Sequence, residues 1–212
     1  PGLTFLAAGL GLGQLTRDGY DGVIDRTASL AADLKAQGAE AISLMGTSLS
    51  FYRGPAGNRK VLEAMRAATD LPVTTMTNAV LEALDAFSVE KLAVATAYAD
   101  PVNEALQRYL TQSGYEVQAL EGMNLAAVEA ILDVREEELM ELGERALAAA
   151  PEAEALLISC GGLKTLPIVV PLEEKFDLPV ITSATAGAWA AARLVGHSGR
   201  APGYGRLFEL AP

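Results

Sequence analysis

Cysteine and histidine occur once each in 212 residues, as Cys160 and His197. A lone cysteine excludes an internal disulfide and fits a reducing, cytoplasmic setting. One cysteine and one histidine also fall short of a structural zinc site, so no metal is expected. No run of about 18 apolar residues is present, which leaves no membrane-spanning helix. No leader pattern opens the sequence. Positive charge is scarce: 16 Lys and Arg stand against 27 Asp and Glu, for a net charge of −11. That balance argues against nucleic acid and anionic membranes as partners. It also means that an anionic ligand would have to be held by local donors and helix ends, not by long-range attraction.

Apolar surface is plentiful. Half of the residues are hydrophobic, enough for one large domain or two small lobes. Short apolar runs at residues 3–8, 40–45, 73–76, 91–97, 115–120, 157–160 and 180–183 read as strands. Helical periodicity covers 20–37, 55–69, 78–87, 101–113, 123–150, 167–176 and 184–195, with a break possible near Asp133. Pro55 sits where a first helical turn tolerates it, and Gly38 and Gly114 suit helix ends. The tail from Gly196 is glycine-rich and aperiodic. Strands alternating with helices predict parallel sheets.

An internal repeat organises these elements. Asp70-Leu71-Pro72-Val73-Thr74-Thr75-Met76 corresponds to Asp177-Leu178-Pro179-Val180-Ile181-Thr182-Ser183, an offset of 107 residues. Upstream, Ile42-Ser43-Leu44-Met45-Gly46-Thr47-Ser48 corresponds to Leu157-Ile158-Ser159-Cys160-Gly161-Gly162. The expected fold is α/β, with two similar lobes, each a parallel sheet flanked by helices. A pseudo-two-fold axis would relate them, with the site in the cleft between. The first lobe is expected over 1–90, joined by the carboxyl-terminal helix and tail at 185–212, and the second over 91–184. Gly46 and Cys160 would then face each other across the cleft.

Cys160 ends a buried strand and is followed by two glycines and a helix. Open α/β sheets bind ligands along that edge, although a lone cysteine is more often a small buried hydrophobe. Residues 9–13, Gly-Leu-Gly-Leu-Gly, invite a dinucleotide reading. They lack the third glycine in register, and no acidic residue ends the next strand. A tight turn with Leu10 and Leu12 pointing inward is expected instead. Glu136-Glu137-Glu138 reads as a solvated helix face, and His197 as an exposed loop residue.

Several stretches together carry a family resemblance. They are the glycine turn at 9–13, Ser43-Leu44-Met45-Gly46-Thr47-Ser48-Leu49-Ser50-Phe51-Tyr52-Arg53-Gly54, Ala95-Thr96-Ala97-Tyr98, Ser159-Cys160-Gly161-Gly162 and Pro202-Gly203-Tyr204-Gly205-Arg206-Leu207-Phe208. On these, the chain resembles the aspartate/glutamate racemase superfamily and, within it, the arylmalonate decarboxylases. Racemases of that superfamily place one cysteine in each lobe. Glycine at the first-lobe position, here Gly46, marks the decarboxylases. Their members carry a further strand and a Pro-rich loop ahead of the segment that matches from Pro1.

The resemblance implies a carboxy-lyase that uses no cofactor, acting on a small dicarboxylate and needing no partner beyond its own monomer. A disubstituted malonate would lose carbon dioxide to leave an enediolate. Thr47, Ser48, Tyr98 and the backbone around Cys160-Gly161-Gly162 would hold its oxygens. Leu12, Leu15, Leu49, Val128 and Ile131 would surround the departing carboxylate. Cys160 would then protonate one face, and Gly46 could not protonate the other, giving one enantiomer of a 2-arylpropionate-type acid. Maleate isomerase or amino-acid racemase activity within the superfamily is the nearest alternative. Both generally use two cysteines, so Gly46 counts against them. A non-catalytic binder of small carboxylates is the alternative from another class.

Overall fold

In the computed structural model of the chain, residues 2–210 are described. The first part of the chain forms α1 (Arg17–Ile24), α2 (Thr27–Ala36), β1 (Ile42–Leu44), the short α3 (Thr47–Phe51), α4 (Gly54–Thr69), β2 (Val73–Thr75) and α5 (Met76–Ala86). Then come β3 (Lys91–Tyr98), α6 (Asp100–Gln112), β4 (Glu116–Leu125), α7 (Val128–Leu132), α8 (Glu136–Ala148), β5 (Ala155–Ser159), α9 (Leu166–Phe176), β6 (Val180–Thr182) and α10 (Ser183–Leu194). A 3-10 turn at Arg206–Glu209 follows in the tail.

Among the described residues these strands make two parallel sheets. β1 pairs with β2, and the second sheet has the order β4-β3-β5-β6. β3 and β5 are central, and helices cover them. Their mostly apolar sequences are what burial on both faces requires. β4 lies at the edge, and none of its residues is fully buried. The fold class is α/β, with parallel sheets flanked by helices.

The repeat is visible in the turn chemistry. α4 ends at Asp70 with φ 54° and α9 ends at Asp177 with φ 52°. Both residues are left-handed, a conformation that a short acidic side chain tolerates better than most. Leu-Pro follows, then a three-residue strand, then a threonine cap. Thr75 Oγ1 accepts from the Asn78 amide at 3.3 Å, and Thr182 Oγ1 accepts from the Thr185 amide at 3.1 Å. Each cap satisfies a helix amide that would otherwise lack a partner. The two helices that result, α5 and α10, pack against each other.

Three predicted elements differ. Residues 3–8 form no strand, and Leu3, Phe5 and Leu6 are exposed. Among the described residues, 3–8 pair with no strand, and the second edge of β1 is left unpaired. Without ladder hydrogen bonds an apolar run stays a loop, however well its composition suits a strand. The predicted helix over 20–37 breaks at Asp25-Arg26 into α1 and α2. There the Thr27 hydroxyl donates to Ile24 O at 2.7 Å and Arg26 Nη1 donates to Leu10 O at 2.8 Å. The predicted helix over 123–150 begins late, because β4 runs alongside β3 as far as Leu125.

Candidate active site

The site forms where β1 and β5 end. β1 leads through Met45 into Gly46, whose extended backbone (φ −146°, ψ 100°) starts α3 at Thr47. β5 leads into Cys160, and a tight turn follows, with the Leu163 amide donating to Cys160 O at 3.2 Å. Both strand ends open into one cavity of about 420 Å³. All twelve site residues named from the sequence line it: Leu12, Leu15, Gly46, Thr47, Ser48, Leu49, Tyr98, Val128, Ile131, Cys160, Gly161 and Gly162.

The glycines after Cys160 have steric reasons. A Cβ at Gly161 would meet Met76 Sδ at 2.9 Å, and one at Gly162 would meet Ile131 Cγ2 at 3.2 Å. With no Cβ, both residues leave their backbone open to the cavity.

Cys160 is buried to 6 % exposure. Burial pushes its thiol pKa up, against the opposing pull of the Gly162 amide, the Tyr98 hydroxyl and the Leu163 amide. The group therefore stays a thiol at neutral pH, with donors gathered round it. Tyr98 reaches the same place from the end of β3. Its hydroxyl lies 3.5 Å from Ser159 Oγ, and burial holds its pKa well above the ordinary phenol value. Its ring meets Phe51 edge-on at 5.8 Å. The buried amide of Asn103 fixes its backbone: Nδ2 donates to Tyr98 O at 3.0 Å, and Oδ1 accepts from Thr96 Oγ1 at 2.6 Å.

The apolar wall comes from two separate segments. The Leu15 amide donates to Ala126 O at 2.8 Å, and Gln14 bridges Ala127. These bonds stitch the loop carrying Leu12 and Leu15 to the start of α7, which carries Val128 and Ile131. Leu10 and Leu12 are half-buried and line the cavity, as the inward reading of the glycine turn expects.

Tyr20 was not singled out from the sequence. It is 1 % exposed, and its hydroxyl has no hydrogen-bond partner among the described residues. Burial pushes its pKa to about 12, with the Ser48 hydroxyl drawing it down and Cys160 pushing it further up. Its ring leans on Tyr52, with centroids 4.8 Å apart. Tyr52 donates its hydroxyl to Asp21 Oδ1 at 2.7 Å, and Arg53 Nε donates to the same oxygen at 2.9 Å. This clasp seats α1 against the α3–α4 corner. The available signal was an aromatic residue set among Thr16, Arg17, Asp18, Gly19 and Asp21 in a capped helix start.

His197 is exposed and accepts from the Gly199 amide at 3.2 Å. Glu136 and Glu137 face solvent. Among the described residues no three His, Cys, Asp or Glu side chains are grouped to hold a metal ion. No helix there is long and apolar enough to cross a membrane.

The family model for arylmalonate decarboxylase matches residues 1–208. Arylmalonate decarboxylase of Bordetella bronchiseptica is 47 % identical over 210 residues, covering 99 % of this chain and 88 % of that protein. Maleate isomerase of Nocardia farcinica is 31 % identical over 143 residues, covering 65 % of this chain and 54 % of that protein. Among solved structures, a liganded double mutant of arylmalonate decarboxylase superposes with a TM-score of 0.95 at 46 % identity, covering 98 % of this chain and 88 % of that one. A Nocardia farcinica maleate cis-trans isomerase mutant with a covalently bound succinylcysteine intermediate gives 0.90 at 22 % identity, over 97 % and 85 % of the two chains. At that identity the likeness shows the fold alone.

Proposed function

The chain belongs to the arylmalonate decarboxylase family, and from that premise we propose that it decarboxylates disubstituted malonates, arylmalonates among them, to single-enantiomer monoacids. The observation that carries this reading is that one cavity is lined both by neutral donors, the Cys160 thiol among them, and by apolar side chains.

One carboxylate of the substrate sits among the neutral donors Thr47, Ser48, Tyr98 and the exposed amides of Gly161 and Gly162. The other sits against Leu12, Leu15, Leu49, Val128 and Ile131. A carboxylate is poorly solvated there, and its loss as neutral carbon dioxide relieves the mismatch. The electron pair of the broken carbon–carbon bond moves into the remaining carboxylate, giving an enediolate. Charge then grows on the oxygens facing the donors. Each preorganised donor at such an oxyanion is worth about 3–4 kcal/mol in the transition state.

Cys160 gives its proton to the carbon of the enediolate. A thiol whose pKa is raised by burial is present in the donating form. The resulting thiolate is held by the Gly162 and Leu163 amides and the Tyr98 hydroxyl, the groups that already oppose the upward shift. Water reprotonates it after product leaves. Gly46 carries no acid for the opposite face, so one enantiomer forms.

The test is turnover of 2-methyl-2-phenylmalonate by wild type and Cys160→Ala, followed by carbon dioxide release and chiral analysis. The reading expects one enantiomer from wild type, and a loss of about 10²-fold or more in the variant. A folded wild type that binds the malonate without releasing carbon dioxide would overturn it.

A further inference from the structure

Two residues at corresponding points of the repeat meet on one hydroxyl. Met76 and Ser183 each open a helix directly after its threonine cap, 107 residues apart. Thr47 Oγ1 lies 3.0 Å from Met76 Sδ and 2.8 Å from Ser183 Oγ. Thr47 has one hydroxyl proton. A thioether is a weak acceptor and an alcohol a good one, so the proton rests on Ser183. Ser183 is fully buried, and Thr47 is the only hydrogen-bond partner of its hydroxyl among the described residues. Its own proton therefore has no other acceptor there.

We propose that Ser183 is a positioning residue that sets the direction of the Thr47 hydroxyl during the reaction. The proposal rests on the reading of Thr47 as a donor to the enediolate. In the free site Thr47 donates to Ser183, which keeps its oxygen fixed at the start of α3. When charge develops on the substrate oxygen, the Thr47 proton turns toward it. The Ser183 hydroxyl then turns its unused proton onto Thr47 Oγ1. A hydroxyl that accepts a hydrogen bond donates more strongly, and a dry site enlarges the effect. Met76, at the symmetry-related place, has no proton to give and cannot replace it. Because the reversal answers charge that is greatest in the transition state, its loss lowers kcat more than it raises KM.

The experiment compares wild type, Ser183→Ala, Thr47→Val and the double variant with 2-methyl-2-phenylmalonate, alongside thermal melting. Ser183→Ala is expected to lower kcat roughly tenfold with KM changed less than about twofold. In the Thr47→Val background the same change should have little further effect, because the coupling runs through the Thr47 hydroxyl. Ser183→Cys, which keeps a weak donor, should fall between wild type and Ser183→Ala and serves if the alanine variant melts early. An unchanged kcat, or equal falls in both backgrounds, overturns the proposal and leaves the decarboxylase reading standing. An inactive wild type overturns that reading and the proposal with it.

Discussion

Gly46 and Cys160 follow the ends of corresponding strands in the two sheets and line one cavity, yet only Cys160 has a side chain that can hold a proton. Gly46→Cys would supply the missing acid. The new Cβ would meet Leu49 Cδ1 at 2.8 Å, the far end of a flexible side chain that can turn aside. Two acids on opposite faces can exchange the proton at carbon. The expected outcome is a slow racemase activity absent from wild type, seen as decay of optical rotation in an enantiopure 2-arylpropionate. Unchanged rotation with a folded variant would count against the two-faced arrangement.

Tyr20→Phe should separate activity from stability. A buried hydroxyl without a partner costs about 1–3 kcal/mol, so its removal should leave the melting temperature unchanged or higher. If the phenol serves the enediolate, kcat/KM should fall about 10²-fold. Kinetics and thermal unfolding of the same preparation check this. A lower melting temperature with unchanged kinetics would assign Tyr20 to packing.

The alkaline limb of the rate profile should follow Cys160. The donating form is the protonated thiol, and its fraction falls as pH rises through the folded-state pKa. Burial raises that pKa, so the fall shifts upward, beyond the ordinary thiol value of about 8.5. The kcat is expected to be level through neutral pH and to decline only in the alkaline range. Tyr20, at about 12, stays protonated until higher pH still. Iodoacetamide should modify the thiol slowly until the same alkaline range is reached. A decline beginning below neutrality, with rapid alkylation there, would contradict a raised thiol pKa.

Asn103→Ala should loosen Tyr98 from behind. It deletes the donor to Tyr98 O and the acceptor for Thr96 Oγ1, both buried. The expected loss is about 2–3 kcal/mol in urea unfolding, with a lower kcat as the phenol loses its fixed place. Unchanged kcat at reduced stability would limit Asn103 to a structural role.

The repeat was legible because its signals are local: a left-handed Asp, a Leu-Pro break and a threonine cap stand within seven residues in each copy. Cys160 was legible for a similar reason, since a buried run followed by two glycines marks a strand end. The convergence of Leu12 and Leu15 with Val128 and Ile131 was not visible in periodicity, where all four look like core; it came with the resemblance. Tyr20 was missed because an unpartnered hydroxyl is a property of its surroundings. Ser183 stood in plain view within the repeat, but its contact with Thr47 spans 136 residues. Residues 3–8 show the opposite failure. Their composition suits a strand, and composition does not report whether ladder hydrogen bonds form.

The handedness of the product made by Gly46→Cys combined with Cys160→Ser is the most direct test of the account. The swap moves the acid from the end of β5 to the end of β1 and keeps the donors, with Leu49 shifting to make room for the new Cβ. The opposite enantiomer is expected from 2-methyl-2-phenylmalonate, at a reduced rate. The same enantiomer as wild type would mean that the proton does not come from Cys160, and would contradict it.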